Sequence, residues 1–242
     1  RAGGRESEQD EGRGEPEHGS FHGNVPIVDF RYLAIEGPIG LGKTALAERL
    51  GARLDATVVL DDPENPFLEA FYDGRPGAAF QTQLFYTLQR HRQQLALRQG
   101  DLFSQTIVAD YLFERDRIYA FMNLDDNELF IYQRLYELMA RDLTAPDLVI
   151  YLQTPTDLLK RRVRDRARRQ DEPEALQPGD EYLAELNEAY NHFFFHYTAT
   201  PLLVVETSQF DLSWGDEALD DLLKQIQSMT AGTRYYVPRT SA

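Results

Sequence analysis

Apolar residues in this chain fall in short unbroken runs, and the longer stretches between them repeat with helical spacing. The clearest run is Leu148-Val149-Ile150-Tyr151-Leu152, with shorter ones at Thr57-Val58-Val59-Leu60 and Leu202-Leu203-Val204-Val205. A strand that is apolar on both sides has both faces covered, as in a parallel sheet between helices. The pattern predicts strands over 31–36, 57–60, 106–109, 147–152 and 202–205. Helices are predicted over 43–50, 78–100, 114–122, 126–142, 156–169, 181–197 and 216–228, with Gly100 as a stop signal. Regular alternation of the two element types gives an α/β fold: a five-stranded parallel sheet flanked by helices on both faces.

The ends read differently. Residues 1–24 are rich in Gly, Glu, Arg and Ser and nearly devoid of apolar side chains. Such a segment cannot bury enough surface to offset its ordering entropy, so it is expected to be a disordered acidic tail or linker. The chain starts at Arg rather than Met, which fits a processed terminus or a linker from an upstream domain. A folded domain is expected over 25–231, with 232–242 as a C-terminal tail.

Composition narrows the function classes. The net charge is −15, and the tail's six acids against three arginines account for little of it. A surface this acidic repels polyanions, so no nucleic acid partner is expected. The apolar runs are far shorter than the ~20 residues of a membrane helix, and no targeting segment is apparent, which together suggest a cytoplasmic enzyme with no membrane partner. The absence of cysteine rules out disulfides, thiolate catalysis and Cys-based zinc sites. His91, His192 and His196 fall on helical segments without an HExxH pattern and are not expected to bind metal.

The strongest chemical signal lies between the first strand and first helix. Gly37-Pro38-Ile39-Gly40-Leu41-Gly42-Lys43-Thr44 has the form of a phosphate-binding loop, with the strand before it and the helix after it that this motif requires. Glycines let backbone N–H groups converge on phosphate oxygens, and the helix N-terminus adds its positive dipole end. Lys43 should reach the terminal phosphates and the Thr44 hydroxyl should ligate Mg²⁺. The loop calls for a nucleoside triphosphate and leaves the second substrate open.

Phosphoryl transfer to an alcohol also needs a base near the hydroxyl, a metal-holding carboxylate and cations on the transferring group. Asp61 and Asp62 end the second predicted strand and Asp110 ends the third, at the sheet edge where open α/β folds bind ligands. Arg161, Arg162, Arg164, Arg166, Arg168 and Arg169 crowd one helix. They make either a solvated basic face or an arginine-rich lid closing on the phosphates.

Several motifs in order carry a resemblance. Ile35-Glu36 with the phosphate loop, Asn65-Pro66-Phe67-Leu68 with Phe71-Tyr72, Phe80-Gln81 and Asp110-Tyr111 resemble the deoxynucleoside kinases, chiefly the bacterial deoxyadenosine/deoxyguanosine kinase branch, over about 27–228. The resemblance implies a P-loop kinase fold and transfer of the ATP γ-phosphoryl to the 5′-hydroxyl of a deoxynucleoside. It implies Asp61 or Asp62 where the family has a glutamate base, Tyr72 at the 3′-hydroxyl, and Gln81, Asp116 and Arg117 at the base. The family's base-binding arginine falls on Leu88, with Arg90 close by. Asp110 corresponds to its acidic Mg²⁺ residue and Tyr111 replaces the arginine that follows. Arg162, Arg166 and Arg168 correspond to the lid, and Asp171 to a 3′-hydroxyl acid. Phe80 and Phe113 are read either as walls of the base pocket or as core. An acid at 116 favours adenine, guanine or cytosine over thymine. A homodimer built on the helix over 81–99 is also implied. Two other readings stand beside this one: a nucleoside monophosphate kinase, and a nucleotide-binding regulatory module without catalysis.

Overall fold

The computed structural model describes residues 30–99, 106–170, 177–209 and 214–238. Its centre is a parallel sheet, built from β1 (Tyr32–Glu36), β2 (Thr57–Val59), β3 (Ile107–Ala109), β4 (Leu148–Gln153), β5 (Leu202–Glu206) and β6 (Thr233–Tyr236). The strand order is β2-β3-β1-β4-β5-β6. Successive side chains of a strand point to opposite faces, and the two faces carry separate cores. Leu33 and Ile35, Leu148, Ile150 and Leu152, and Leu203 and Val205 pack with α1 (Lys43–Leu54), α6 (Thr156–Gln170) and α8 (Asp216–Gln227). Ala34, Val149, Tyr151, Leu202 and Val204 face the other way, onto α4 (Asp116–Asn123) and α7 (Asp180–Phe195). A third cluster, with Phe113, Ala120, Tyr132 and Tyr136, joins α3 (Ala78–Gln99), α4 and α5 (Asp126–Ala140) beside the sheet. This α/β sandwich is the predicted fold class.

Among the described residues the sheet has six strands rather than the expected five. The extra strand, β6, lies in the stretch expected to be a tail and pairs in parallel with β5, Leu202 against Thr233 and Val205 against Tyr236. Of its four residues only Tyr236 is buried, so an edge strand here leaves almost no apolar pattern in the sequence. A short helix, α2 (Leu68–Tyr72), was not predicted either, because five residues are too few to show a helical period.

Because all strands run parallel, the segments leaving β1, β2 and β3 emerge at one edge. There the phosphate loop, Asp61 and Asp110 meet.

Candidate active site

The phosphate loop joins β1 to α1 through backbone that glycine accepts readily. Gly40 and Gly42 have φ of 85° and 70°, and Gly42 precedes α1 without any side-chain cap. The first N–H groups of α1 are therefore open to an anionic ligand. Gly37 lies so close to β4 that an added Cβ would come 2.7 Å from the Leu152 carbonyl oxygen. Lys43 folds back onto its own loop, its Nζ donating to the carbonyls of Gly37 at 2.8 Å and Pro38 at 3.2 Å. Burial lowers the pKa of this ammonium, opposed by the nearby Glu36 carboxylate.

Thr44 and Asp110, the two expected metal ligands, are in contact. Thr44 Oγ1 donates to Asp110 Oδ2 at 2.6 Å, and the Asp61 N–H donates to Asp110 Oδ1 at 2.6 Å. No group of three or more His, Cys, Asp or Glu that could hold a metal occurs among the described residues. A hydroxyl beside a single carboxylate suits Mg²⁺, which takes few protein ligands and fills its shell with phosphate oxygens and water.

Next to this pair lies a chain of buried charges. The Asp61 carboxylate accepts from Arg90 Nε at 2.8 Å, Arg90 Nη2 at 3.0 Å and Arg115 Nη2 at 2.5 Å. Arg90 also donates to Asp116 through Nη1. Arg115 Nη1 lies 3.8 Å from Glu36 Oε1. Glu36 itself accepts from the N–H groups of Gly37 and Leu112 and from the Tyr190 hydroxyl. The order Glu36, Arg115, Asp61, Arg90, Asp116 thus alternates in sign. Burial alone would raise the Asp61 pKa, but Arg115 and Arg90 hold it well below the usual carboxylate range. Burial works against the Arg115 charge, yet Asp61 and Glu36 hold its pKa well above the ordinary value. Asp116 is fully buried, its pKa is pushed up by burial against the pull of Arg90, and its Oδ2 has no hydrogen-bond partner. Tyr86 flanks the cluster with its ring 4.9 Å from the Arg90 guanidinium, and Tyr72 lies near Tyr86 and Tyr182.

The segment after β2 is strapped to α3. Gln93 donates to the Leu60 carbonyl, Gln89 to Asp62, Tyr86 to the Pro63 carbonyl, and Asn65 to the Thr82 carbonyl. The strapping turns the two neighbouring acids apart. Asp61 faces the buried charges, whereas Asp62 lines an open groove of about 550 Å³ with Glu64, Asn65, Pro66, Phe85 and Gln89.

A family model of deoxynucleoside kinases matches residues 33–231. The chain belongs to the deoxynucleoside kinase family. It is 33% identical over 143 residues to a deoxyguanosine kinase of Bacillus subtilis, covering 57% of this chain and 67% of that protein. It is 25% identical over 206 residues to a deoxyadenosine/deoxycytidine kinase of the same organism, covering 81% and 92% respectively. The fold resembles that of M. mycoides deoxyadenosine kinase solved with dCMP and dCDP, at a TM-score of 0.66 and 23% identity, covering 81% of this chain and 99% of that one. This kinase is an ATP-dependent phosphotransferase acting on deoxynucleosides.

The kinase does not gather every residue expected at its site. Gln81 is exposed, and the inward face of α3 is Gln83, Thr87, Arg90 and Gln94. Gln83 Nε2 donates to the Asp116 carbonyl at 3.0 Å. Gln83 and Arg90 stand on that buried face seven residues apart, the same spacing as the exposed positions 81 and 88. Arg117 is exposed and sits 5.9 Å from the Tyr136 ring, because a helix turns consecutive side chains about 100° apart and Asp116 takes the inward place. Phe80, partly buried, and Phe113, buried, pack in the cluster beside the sheet, with Phe113 stacked on Tyr136 at 5.2 Å.

Among the lid arginines, Arg162 binds the Thr207 hydroxyl at 2.8 Å and its carbonyl at 2.6 Å, anchoring α6 to the end of β5. Arg166 is half-buried, and Arg168 is exposed with Asp165 3.8 Å away. Val163 lies over the phosphate loop, where a Cβ at Gly40 would come 3.1 Å from its Cγ2. Asp171 lies outside the described residues. No helix among the described residues is long and apolar enough to cross a membrane.

Sequence reasoning missed Glu36 and Arg115 as site residues. The apolar run before Glu36 hides a buried acid, and Arg115 sits in a short 3-10 turn, Phe113–Arg115, that shows no period. The available signal was charge: Glu114-Arg115-Asp116-Arg117 follows directly on a strand that ends in Asp110.

Proposed function

We propose that the kinase transfers the ATP γ-phosphoryl to the 5′-hydroxyl of a purine deoxynucleoside or deoxycytidine, with Asp61 facing that hydroxyl. The observation that carries this reading is the convergence of Asp61, Thr44 and Asp110 at one sheet edge, with Asp61 turned inward and Asp62 outward. A carboxylate held by two guanidiniums is a weak proton acceptor but a good hydrogen-bond acceptor. Asp61 therefore orients the hydroxyl early and takes its proton late, which suits a loose transition state that asks little of its nucleophile. Mg²⁺, held by Thr44 and Asp110, would neutralise phosphate charge. Lys43 leaves its loop carbonyls for the phosphates, and Arg162, Arg166 and Arg168 of α6 serve as the lid. The free Oδ2 of Asp116 and the amide of Gln83 read an exocyclic amine on the base, while Tyr72 contacts the sugar.

The exposed apolar side chains Leu88, Phe130, Ile131 and Leu138 on the packed helices α3 and α5 support a homodimer, and the lack of a membrane-crossing helix among the described residues supports a cytoplasmic location.

The test is product formation with ATP·Mg²⁺ and each of the four deoxynucleosides, alone and in competition. Deoxynucleoside monophosphate is expected from deoxyadenosine, deoxyguanosine or deoxycytidine ahead of thymidine. No product from any of the four would overturn the reading. Losing a hydrogen bond to the base is worth about 1–1.5 kcal/mol, so Gln83→Leu should raise KM about tenfold and Gln81→Leu should leave it unchanged.

A further inference from the structure

We propose that Arg115 is a positioning residue for the transfer step, bridging the start of the phosphate loop to the acid that faces the acceptor hydroxyl. This inference rests on the assignment of that acid to Asp61.

Three observations carry it. Arg115 is buried, and it touches the two halves of the site from opposite directions. One Nη donates to Asp61 Oδ2 at 2.5 Å, and the other lies 3.8 Å from Glu36 Oε1. Glu36 is in turn fixed to the backbone on both sides of the cleft, at Gly37 by 2.9 Å and at Leu112 by 2.7 Å. A planar guanidinium is the side chain suited to hold two carboxylates at a set separation, and an ammonium at the same place can serve only one of them well. The third observation is that Arg115 Nε, although buried, has no hydrogen-bond partner. An unpaired buried N–H is costly and calls for an acceptor that arrives with the ligand. An oxygen of the reacting groups, the acceptor hydroxyl or the transferring phosphoryl, has the required chemistry. Tyr111, adjacent to Asp110, supplies no cation there: its hydroxyl accepts from Gln94 at 3.2 Å inside the core.

This arrangement sets the distance between donor phosphate and acceptor hydroxyl. Misplacing reacting groups by an ångström costs on the order of 100-fold in rate, with little effect on binding of either substrate.

The experiment compares Arg115→Lys, Arg115→Ala and Asp61→Asn, measuring kcat, KM for ATP and KM for the deoxynucleoside phosphorylated fastest by the wild type. For Arg115→Lys, kcat is expected to fall about 10- to 100-fold while both KM values stay within about threefold, because orientation is lost and binding is kept. For Arg115→Ala a larger loss in kcat is expected, partly restored by millimolar guanidinium and not by methylammonium. Should Arg115→Ala fail to fold, Arg115→Lys decides alone. A wild-type kcat in Arg115→Lys, or a change confined to KM, overturns the proposal. If that result accompanies an inactive Asp61→Asn, the reading of Asp61 stands and only the role of Arg115 falls. If Asp61→Asn itself keeps its kcat, the reading of Asp61 fails and this proposal fails with it.

Discussion

Replacing Arg90 by Met tests the buried charge chain as a source of stability. The Arg90 side chain is 4% exposed and bridges Asp61, which is 21% exposed, to Asp116, which is 1% exposed. After the substitution Asp61 keeps Arg115, so its loss is modest. Asp116 loses its ion-pair partner: its Oδ2 is already without a hydrogen-bond partner, and only the charge of Arg115 and the Thr87 hydroxyl still favour its carboxylate. Breaking a buried pair from one side costs about 3–5 kcal/mol because the remaining charge is uncompensated. Each kcal/mol is worth about 2–4 °C in a domain of this size, so Tm should drop by roughly 6–20 °C. Met fills most of the volume, so packing contributes little. The second arm is the double variant Arg90→Met/Asp116→Asn. An amide is far cheaper to bury than a carboxylate, so the double variant should recover at least about half of the lost stability. Thermal and urea unfolding followed by circular dichroism read both arms. A single variant destabilised by less than about 1 kcal/mol, or a double variant no more stable than the single, would refute the reasoning.

Two further outcomes follow from packing and titration. In Gly51→Ala the new Cβ falls 2.2 Å from Val58 Cγ2, where α1 meets β2. The clash should outweigh the roughly 1 kcal/mol gained in helix propensity and leave a net loss of about 1–3 kcal/mol in urea unfolding, relieved by adding Val58→Ala. Burial raises the pKa of the Glu114 carboxyl against the pull of Arg117, so the fold favours the protonated form. A raised folded-state pKa gives stability that is complete below the unfolded value of about 4.3 and lost as pH rises. Glu114→Gln should therefore melt higher than the wild type at pH 7.5 and equal to it near pH 4, and a constant difference across that range would count against the reading.

Most of the sheet was legible because both-sided burial writes itself into apolar runs, and β1, β4 and β5 lie within a residue or so of where those runs placed them. β6 was not, since three of its four residues are at least partly exposed and the strand exists only by pairing with β5. The place of the glycine loop between β1 and α1 was legible, because it depends on a local string of residues. The inward face of α3 was legible in composition but not in register. Helix α3 offers several glutamines and arginines, and only the packed helix shows that 83, 87, 90 and 94 share the inward face. Arg115 and Glu36 become readable only when three strand ends are brought to one edge.

The strand order also governs how the chain can assemble as it is made. β1 precedes the other described strands in the chain yet lies third in the sheet, with β3 and β4 as its neighbours, while among the described residues β2 pairs only with β3. Until residue 109 has emerged from the ribosome, neither β1 nor β2 has a partner strand, and the apolar loop-to-helix segment between them has no sheet to cover. From β5 onward each new strand adds directly to the one before it. The nascent chain is therefore most exposed to aggregation and to chaperone capture during the synthesis of α3, and it becomes steadily safer afterwards.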